Sequence, residues 1–366
     1  MTRSPHLIQI VPRAPGERDG VADYAQTLAR RLREIHAMET VFVPNAPTSV
    51  ASTPDGFAVL TSLRTLGAEL PVSARAVILH YVNYGYNPRG IPASLPRLVS
   101  AIKGPRKLLT IFHELYAHAF PWQSAFWLRP LQRQITQSLA RSSDFALVSN
   151  EFSKVELGSL APESRVLMHP VLSNFGEPVL SNAQLSGRDP QRWIICGGNE
   201  LLERSLSSFL RISAQIPPAY TPRELFVIGG TASNRIRNLI RRVSCETIYH
   251  PEIEAEAASA ILSTCSYGWI DYFAQPDLPL TMILKSSAFA ALSAHGVVAV
   301  GPRRGSEISH RGDRLPGPFF IDGATQCLPG RSEQDRVAHA TYAWYRRNAY
   351  SAHLAKAIHD AFAFSE

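Results

Sequence analysis

The segment KLLTIFHELYAH (107–118) admits two incompatible readings. As a helix it comes within one residue of the zinc-protease pattern H-E-x-x-H, in which two His at i and i+4 share one face and one metal. Here the second imidazole is His118, at i+5 from His113, so on a helix it would lie about 140° around from the first. As a strand, KLLTIF is a short apolar, partly β-branched run, and His113-Glu114 marks the point where it opens into a loop. Spacing and context both favour the strand.

The same strand type recurs, alternating with helical periodicity. LIQIVP (7–12), ETVFVP (39–44), FAVL (57–60), AVILHYV (76–82) and FALVSN (145–150) read as strands. Between them, GVADYAQTLARRLREIHA (20–37) repeats Val21, Tyr24, Leu28, Leu32 and Ile35 at helical spacing. PASLPRLVSAIK (92–103) and LRPLQRQITQSLARS (128–142) read as further helices. Apolar strands separated by helices predict a parallel sheet covered on both faces. LSNFGEPVLSNAQLSGRDPQR (172–192) is polar and rich in turn formers, and reads as a linker. The alternation then restarts with RWIICGG (192–198), LFVIGG (225–230), TIYHP (247–251), YGWIDY (267–272) and GVVAVG (296–301). The expectation is an α/β chain of two Rossmann-like halves, with Glu333 to Phe362 helical to the end.

Composition agrees with two domains: 366 residues exceed one ordinary core, and 45% hydrophobic with 18% charged residues is a globular balance. No apolar run approaches the length of a membrane-spanning helix, and the run in MTRSPHLIQIVPRAPG is too short for a signal peptide. Cys196, Cys245, Cys265 and Cys327 show no C-x-x-C spacing and read as reduced thiols of a cytoplasmic protein rather than disulfides or metal ligands. The net charge of +7 and pI near 9.4 suit an anionic partner. The basic residues are dispersed and match no nucleic-acid-binding motif, so nucleic acid is not expected. RGD at 311–313 is read as a chance tripeptide.

Four places hold candidate chemistry. PGERDGVADYAQTLARRL (15–32) puts a Gly-containing loop, with Gly20 and Asp23, at a helix start, where free N–H groups bind anions. ILHYVNYGYNPRGIP (78–92) gathers His80, Tyr81, Asn83, Tyr84 and Tyr86 past a strand end, a composition suited to a hydroxyl-rich ligand or to aromatic packing. His113 and Glu114 stand at the matching end of a later strand, the edge where open parallel sheets bind ligands. In LPLTMILKSSAFAALSAHGVVAVG (278–301), Lys285 and Ser286 begin a small-residue helix stopped by Gly296, an arrangement that suits a diphosphate. G-x-G-x-x-G is absent from the first turn, from CGGNE (196–200) and from IGGTA (228–232). No G-x-S-x-G elbow is present.

In this order, GERDGVADYAQTLA, FHELYA, VSN (148–150) and SSAFAALSAHGVVAV resemble the GT-B glycosyltransferases, in particular the family 4-like group that transfers sugar from a nucleotide donor with retention. The resemblance runs the whole length. It implies two Rossmann-like domains facing each other across a cleft: an acceptor-side domain over 1–175 and a donor-side domain over 190–335. Residues 336–366 would then be a C-terminal helix packing back on the first domain. It implies that Gly20 and Gly198 approach the donor and that Lys285, Ser286 and Ser287 hold its diphosphate. His113 matches a family histidine near the reacting centre, with Lys285 stabilising the leaving group. Asp23, His80, Tyr81, Asn83, Tyr84 and Glu114 would contact sugar or acceptor. The implied enzyme is a metal-independent hexosyltransferase of polysaccharide or glycoconjugate synthesis. It needs no cofactor, takes a nucleotide-sugar as substrate and uses a glycan or lipid-linked acceptor.

The chain departs from the family pattern. Two Glu eight positions apart are expected in the donor segment, but counting back from Gly296 those positions hold Ile283 and Ala291. Val298 replaces the usual Pro, and no Arg-Lys pair follows CGGN, although Glu203 and Arg204 lie nearby. WQSAFWLRPLQRQ (122–134), aromatic and basic, reads either as a peripheral contact with the inner face of a membrane or as an ordinary amphipathic helix. Three functional readings stay open: an active retaining glycosyltransferase, a catalytically weak carbohydrate-binding or complex-forming relative, and a two-domain nucleotide-cofactor enzyme. The absent G-x-G-x-x-G weighs against the last.

Overall fold

The computed structural model describes residues 7–17, 19–64, 70–71, 73–273, 278–302, 308–321, 326–330 and 332–362. The chain divides between Pro170 and Val171, and again between Tyr350 and Ser351, into two compact units. The segment from Ser351 onward belongs to the first unit.

Mostly apolar runs such as Leu7–Val11 and Ala76–Tyr81 are buried at every position, as strands covered on both faces must be. The first unit runs β1 (Leu7–Val11), α1 (Gly20–His36), β2 (Thr40–Pro44), β3 (Ala58–Val59), β4 (Ala76–Tyr81), α2 (Asn83–Tyr86) and α3 (Leu95–Lys103). It continues through β5 (Lys107–Phe112), α4 (Ser124–Ser142), β6 (Phe145–Val148), α5 (Glu151–Leu160) and β7 (Val166–Met168). The sheet order is β3-β2-β1-β4-β5-β6-β7, and every pair is parallel. KLLTIF is thus a central strand, and residues 113–120 after it lie outside any helix.

The second unit holds α6 (Asn182–Leu185), β8 (Arg192–Cys196), α7 (Asn199–Ile212), β9 (Glu224–Ile228), α8 (Asn234–Ile240), β10 (Glu246–His250), α9 (Ala255–Leu262) and β11 (Tyr267–Trp269). Then come α10 (Ser287–Ala294), β12 (Val298–Gly301), β13 (Ser309–His310), β14 (Asp313–Arg314), β15 (Phe319–Ile321), β16 (Gln326–Cys327) and α11 (Gln334–Asn348). Its main sheet is ordered β10-β9-β8-β11-β12-β15-β16, with only the edge strand β16 antiparallel to its neighbour. Both sheets therefore carry one doubly wound order, in which the chain reverses direction between the first and fourth strands.

The passage 172–192 is fastened to the second unit. The backbone N–H of Ser173 donates to Tyr345 Oη (2.8 Å) and that of Leu180 to Tyr342 Oη (3.1 Å). Asp313 of the RGD tripeptide is engaged internally, accepting from Arg347 Nε (3.0 Å) and Asn348 Nδ2 (2.7 Å). The helical tail is interrupted at Ala349–Tyr350, after which α12 (Ser351–Phe362) packs on α1. Leu354, Ala355, Ile358 and Phe362 are buried there, Arg31 Nε donates to Ser351 Oγ (2.9 Å), and Lys107 Nζ to the Phe362 carbonyl (2.6 Å). Among the described residues, no helix is long and apolar enough to cross a membrane.

Candidate functional site

In doubly wound sheets, ligands bind beyond the carboxyl ends of the strands, where the strand order reverses. In the first unit that region lies past β1 and β4, with β5 alongside.

Gln9 sits in the middle of β1, His80 near the end of β4, and His113 one residue past β5. These three adjacent strands bring the side chains into one chain of contacts: Gln9 Oε1 lies 2.7 Å from His80 Nε2, and His80 Nδ1 lies 3.2 Å from His113 Nε2. Gln9 and His80 are fully buried and His113 is partly so. Tyr24, buried on α1, meets both imidazoles edge-on, with ring centroids 5.8 and 4.9 Å away. Burial holds His113 down at about 4; burial and then the neighbouring His113 hold His80 well below the usual range. Both rings are therefore neutral at pH 7.

Neutrality sets the tautomers. With the Gln9 oxygen facing it, His80 carries its proton on Nε2, and its Nδ1 accepts from His113 Nε2–H. His113 Nδ1 keeps its lone pair, and no described side chain hydrogen-bonds to it. The hydroxyl of Tyr86 donates to the His80 carbonyl (2.9 Å) and fixes the backbone at this strand end.

The other expected residues of this unit separate. Gly20 opens α1 and is exposed; the cap is Asp19, whose Oδ1 accepts from Val21 N–H (3.1 Å). Asp23 stands exposed one turn on, yet lost solvation and the Asp19 charge push it up to about 6, with Arg30 opposing. Tyr81 and Asn83, expected to meet a ligand, are both 0% exposed. Tyr81 packs on Phe112 (5.6 Å between ring centroids), and burial pushes its hydroxyl up to about 12. Neither amide atom of Asn83 has a partner in the described structure. Tyr84 is exposed and Glu114 partly so, beside His113.

In the second unit, two glycine turns lie side by side at the ends of β8 and β9. Gly197 N–H donates to the Ile228 carbonyl (3.2 Å). Asn199, at the start of α7, clamps the second turn: its Oδ1 accepts from Thr231 N–H (2.9 Å) and its Nδ2 donates to Thr231 Oγ1 (2.8 Å). Gly230 suits glycine, because its φ is +62° and a Cβ there would collide with Asn199 Oδ1. Gly198, by contrast, is exposed, and a Cβ on it would meet nothing within 4 Å.

Lys285 ends a 3-10 turn (Leu280–Lys285) and is partly exposed. Ser286 caps α10, its Oγ accepting from Phe289 N–H (3.2 Å), and Ser287 is the first helical residue. Helix α10 follows β11, so its N-terminus opens at the carboxyl edge of this sheet, where amides and the Lys285 charge suit an anion. The two positions where the resemblance calls for carboxylates lie inside the core: Ile283 is 1% exposed and Ala291 0%. Arg204 is committed to the backbone past β11, donating to the carbonyls of Asp271 (2.6 Å) and Tyr272 (2.8 Å). Glu203 pairs with Arg235 (3.1 Å).

Sequence reasoning missed Gln9 and the Asn199–Thr231 clamp. The first carried a signal, a lone Gln in the apolar run LIQIV; the second did not, because its partners stand 32 positions apart.

No protein-family model matches the chain, and no curated protein matches it in sequence. Solved structures match along its whole length. An alpha,alpha-trehalose 6-phosphate synthase from Burkholderia multivorans aligns with a TM-score of 0.60 at 11% identity, covering 98% of this chain and 96% of that one. An alpha-glucosyltransferase in complex with UDP and a mismatched 13-mer DNA aligns with 0.58 at 11%, covering 98% and 99%. WaaG, a glycosyltransferase involved in lipopolysaccharide biosynthesis, aligns with 0.50 at 9%, covering 98% and 100%. The chain has the two-domain GT-B architecture of these glycosyltransferases.

Proposed function

We propose that the chain is a retaining glycosyltransferase that moves a sugar from a nucleoside-diphosphate donor to a glycan or lipid-linked acceptor. The observation that carries the reading is the start of α10. There a capped helix end with Ser286, Ser287 and the Lys285 charge stands at the carboxyl edge of a doubly wound sheet, where a diphosphate is best received.

In the proposed reaction the acceptor oxygen bonds to the anomeric carbon as the bond to the diphosphate breaks, on the same face of the sugar. Catalysis is mainly positioning, together with stabilisation of the charge gathering on the leaving diphosphate by Lys285 and the α10 amides. The neutral His113, with its Nδ1 lone pair, supplies an acceptor for a sugar or nucleophile hydroxyl. Gly20 and Gly198, both exposed at loop–helix junctions, leave room for the donor, and Asp23, Tyr84 and Glu114 are placed to bind hydroxyls. His80 serves through His113, and Tyr81 and Asn83 shape the wall behind it.

The burial of Ile283 and Ala291 supports a second reading, a carbohydrate-binding relative with weak turnover, because no carboxylate reaches the donor from either position. Calorimetric titration of UDP, GDP, ADP and TDP separates the two, with UDP first because it is named with one of the neighbours. The first reading expects one nucleotide to bind at micromolar strength and Lys285→Ala to weaken it about tenfold to a hundredfold, as for a lost charged hydrogen bond. It also expects sugar transfer from the matching donor. Binding without transfer would support the second reading, and no binding to any of the four would remove the donor site.

A further inference from the structure

The first two turns of α4 and the loop before them carry an exposed apolar surface whose rings pack only on near neighbours, Trp122 on Phe120 (4.6 Å between centroids) and Trp127 on Phe126 (5.4 Å). Trp122 is 78% exposed and Trp127 71%, with Leu131, one turn beyond Trp127, at 47%. The chain has five tryptophans, and the other three (Trp193, Trp269 and Trp344) are buried to 1% or less. Water-facing indoles are therefore confined to this one place.

The segment that bears them carries charge of one sign. From Leu115 to Ser143 the sequence contains no Asp or Glu, but does contain Arg129, Arg133 and Arg141. Arg141 pairs with Glu163 (3.1 Å). Arg129 and Arg133, one turn apart, have no carboxylate partner among the described residues; both guanidinium groups lie over the Tyr116 ring, 4.9 and 5.1 Å from its centroid. Stacking holds two uncompensated positive charges beside the exposed apolar side chains. Farther along the same exposed stripe the residues turn polar, at Gln134 and Ser138. Only the beginning of the helix is built to leave water.

We propose that this face docks on an anionic lipid bilayer. Trp122 and Trp127 would sit at the headgroup level with Leu131 behind them, and Arg129 and Arg133 would pair with lipid phosphates. Indoles favour that boundary because they combine an apolar body with a polar N–H, and clustered Arg adds attraction to anionic lipid. A second copy of this chain fits less well, since it would bring the same two arginines against each other. The proposal does not depend on any transferase activity.

Flotation and intrinsic fluorescence with vesicles test it on the full chain. The expected result is binding to equimolar phosphatidylcholine and phosphatidylglycerol vesicles at least about tenfold tighter than to phosphatidylcholine alone, with a blue shift in tryptophan emission. Trp122→Ala/Trp127→Ala, which alters only exposed side chains, should lower that affinity by about tenfold or more and abolish the shift. Arg129→Gln and Arg133→Gln should each cost about fivefold, and added salt should weaken binding. No binding to the anionic vesicles would overturn the proposal, as would equal binding to both compositions or unchanged binding by the tryptophan variant. So would a dimer in solution that the tryptophan variant dissociates, which would mark the face as a protein interface.

Discussion

His80 Nδ1 and His113 Nε2 lie 3.2 Å apart in a setting that keeps both rings uncharged. A shared position for one proton between two imidazoles has a cost on acidification. His113 is held at about 4, against 6.5 when unfolded. Between those values the unfolded chain binds more protons, so stability rises with pH across that window and is lost as pH falls through it. The expected loss between pH 7 and pH 4.5 is on the order of 1–3 kcal/mol for this residue. Asp23, raised to about 6, has the opposite slope, but it is present in both proteins when wild type is compared with His113→Gln. Urea unfolding of the pair at the two pH values should show a smaller acid-side loss in the variant; equal losses would remove the argument.

Gly230 is expected to tolerate no side chain. Gly230→Ala places a Cβ against Asn199 Oδ1 at a left-handed φ, and should cost about 2 kcal/mol or more. Because the clash is with a side chain that also clamps Thr231, Asn199→Ala should relieve part of it. The double variant is then less damaged than the sum of the singles, a coupling that a thermodynamic cycle reads directly. Strict additivity would mean that backbone strain alone sets the cost.

Carboxylates at the two positions where the resemblance calls for them should cost stability rather than raise sugar transfer. Ala291→Glu puts a charge at a fully buried position of the core, so a loss of at least about 3 kcal/mol is expected. Denaturation midpoints of Ala291→Glu and Ile283→Glu measure it. A stable Ala291→Glu protein with raised sugar transfer would show that α10 can turn that position outward.

Ser286→Ala removes the cap of α10 and is expected to cost about 1 kcal/mol of stability. If the donor diphosphate is received at this helix start, nucleotide affinity should fall as well, whereas Ser286→Asn, which can still cap, should keep most of the stability. Calorimetry beside thermal unfolding separates the two effects.

Much of the layering was readable before the structure because strands buried on both faces leave long apolar runs. KLLTIF begins and ends at the expected residues, and β1, β2, β4 and β8 differ by a residue or two. Helix α5 (EFSKVELGSL) and the three-residue β7 and β15 are too short or too weakly patterned to declare themselves. The site was readable only in part. His80 and Tyr81 are consecutive in a strand and so point to opposite faces, which prevents both from meeting the same partner. The bond from His80 to Gln9 depends on strand order, since β1 and β4 become neighbours only after the chain has passed through β2 and β3. Likewise, the spacing back from Gly296 located Ile283 and Ala291, but only packing reveals that both face inward.

The return of α12 to the first unit gives that unit a birth order. A ribosome delivers everything up to Pro170 and then the whole of the second unit before it reaches Ser351. At about 5–20 residues per second, that leaves the first unit without its last helix for on the order of 10–40 s. Throughout that interval the face of α1 that later covers Leu354 and Ile358 has no cover of its own. Of the two units, the one begun earlier is the one completed later.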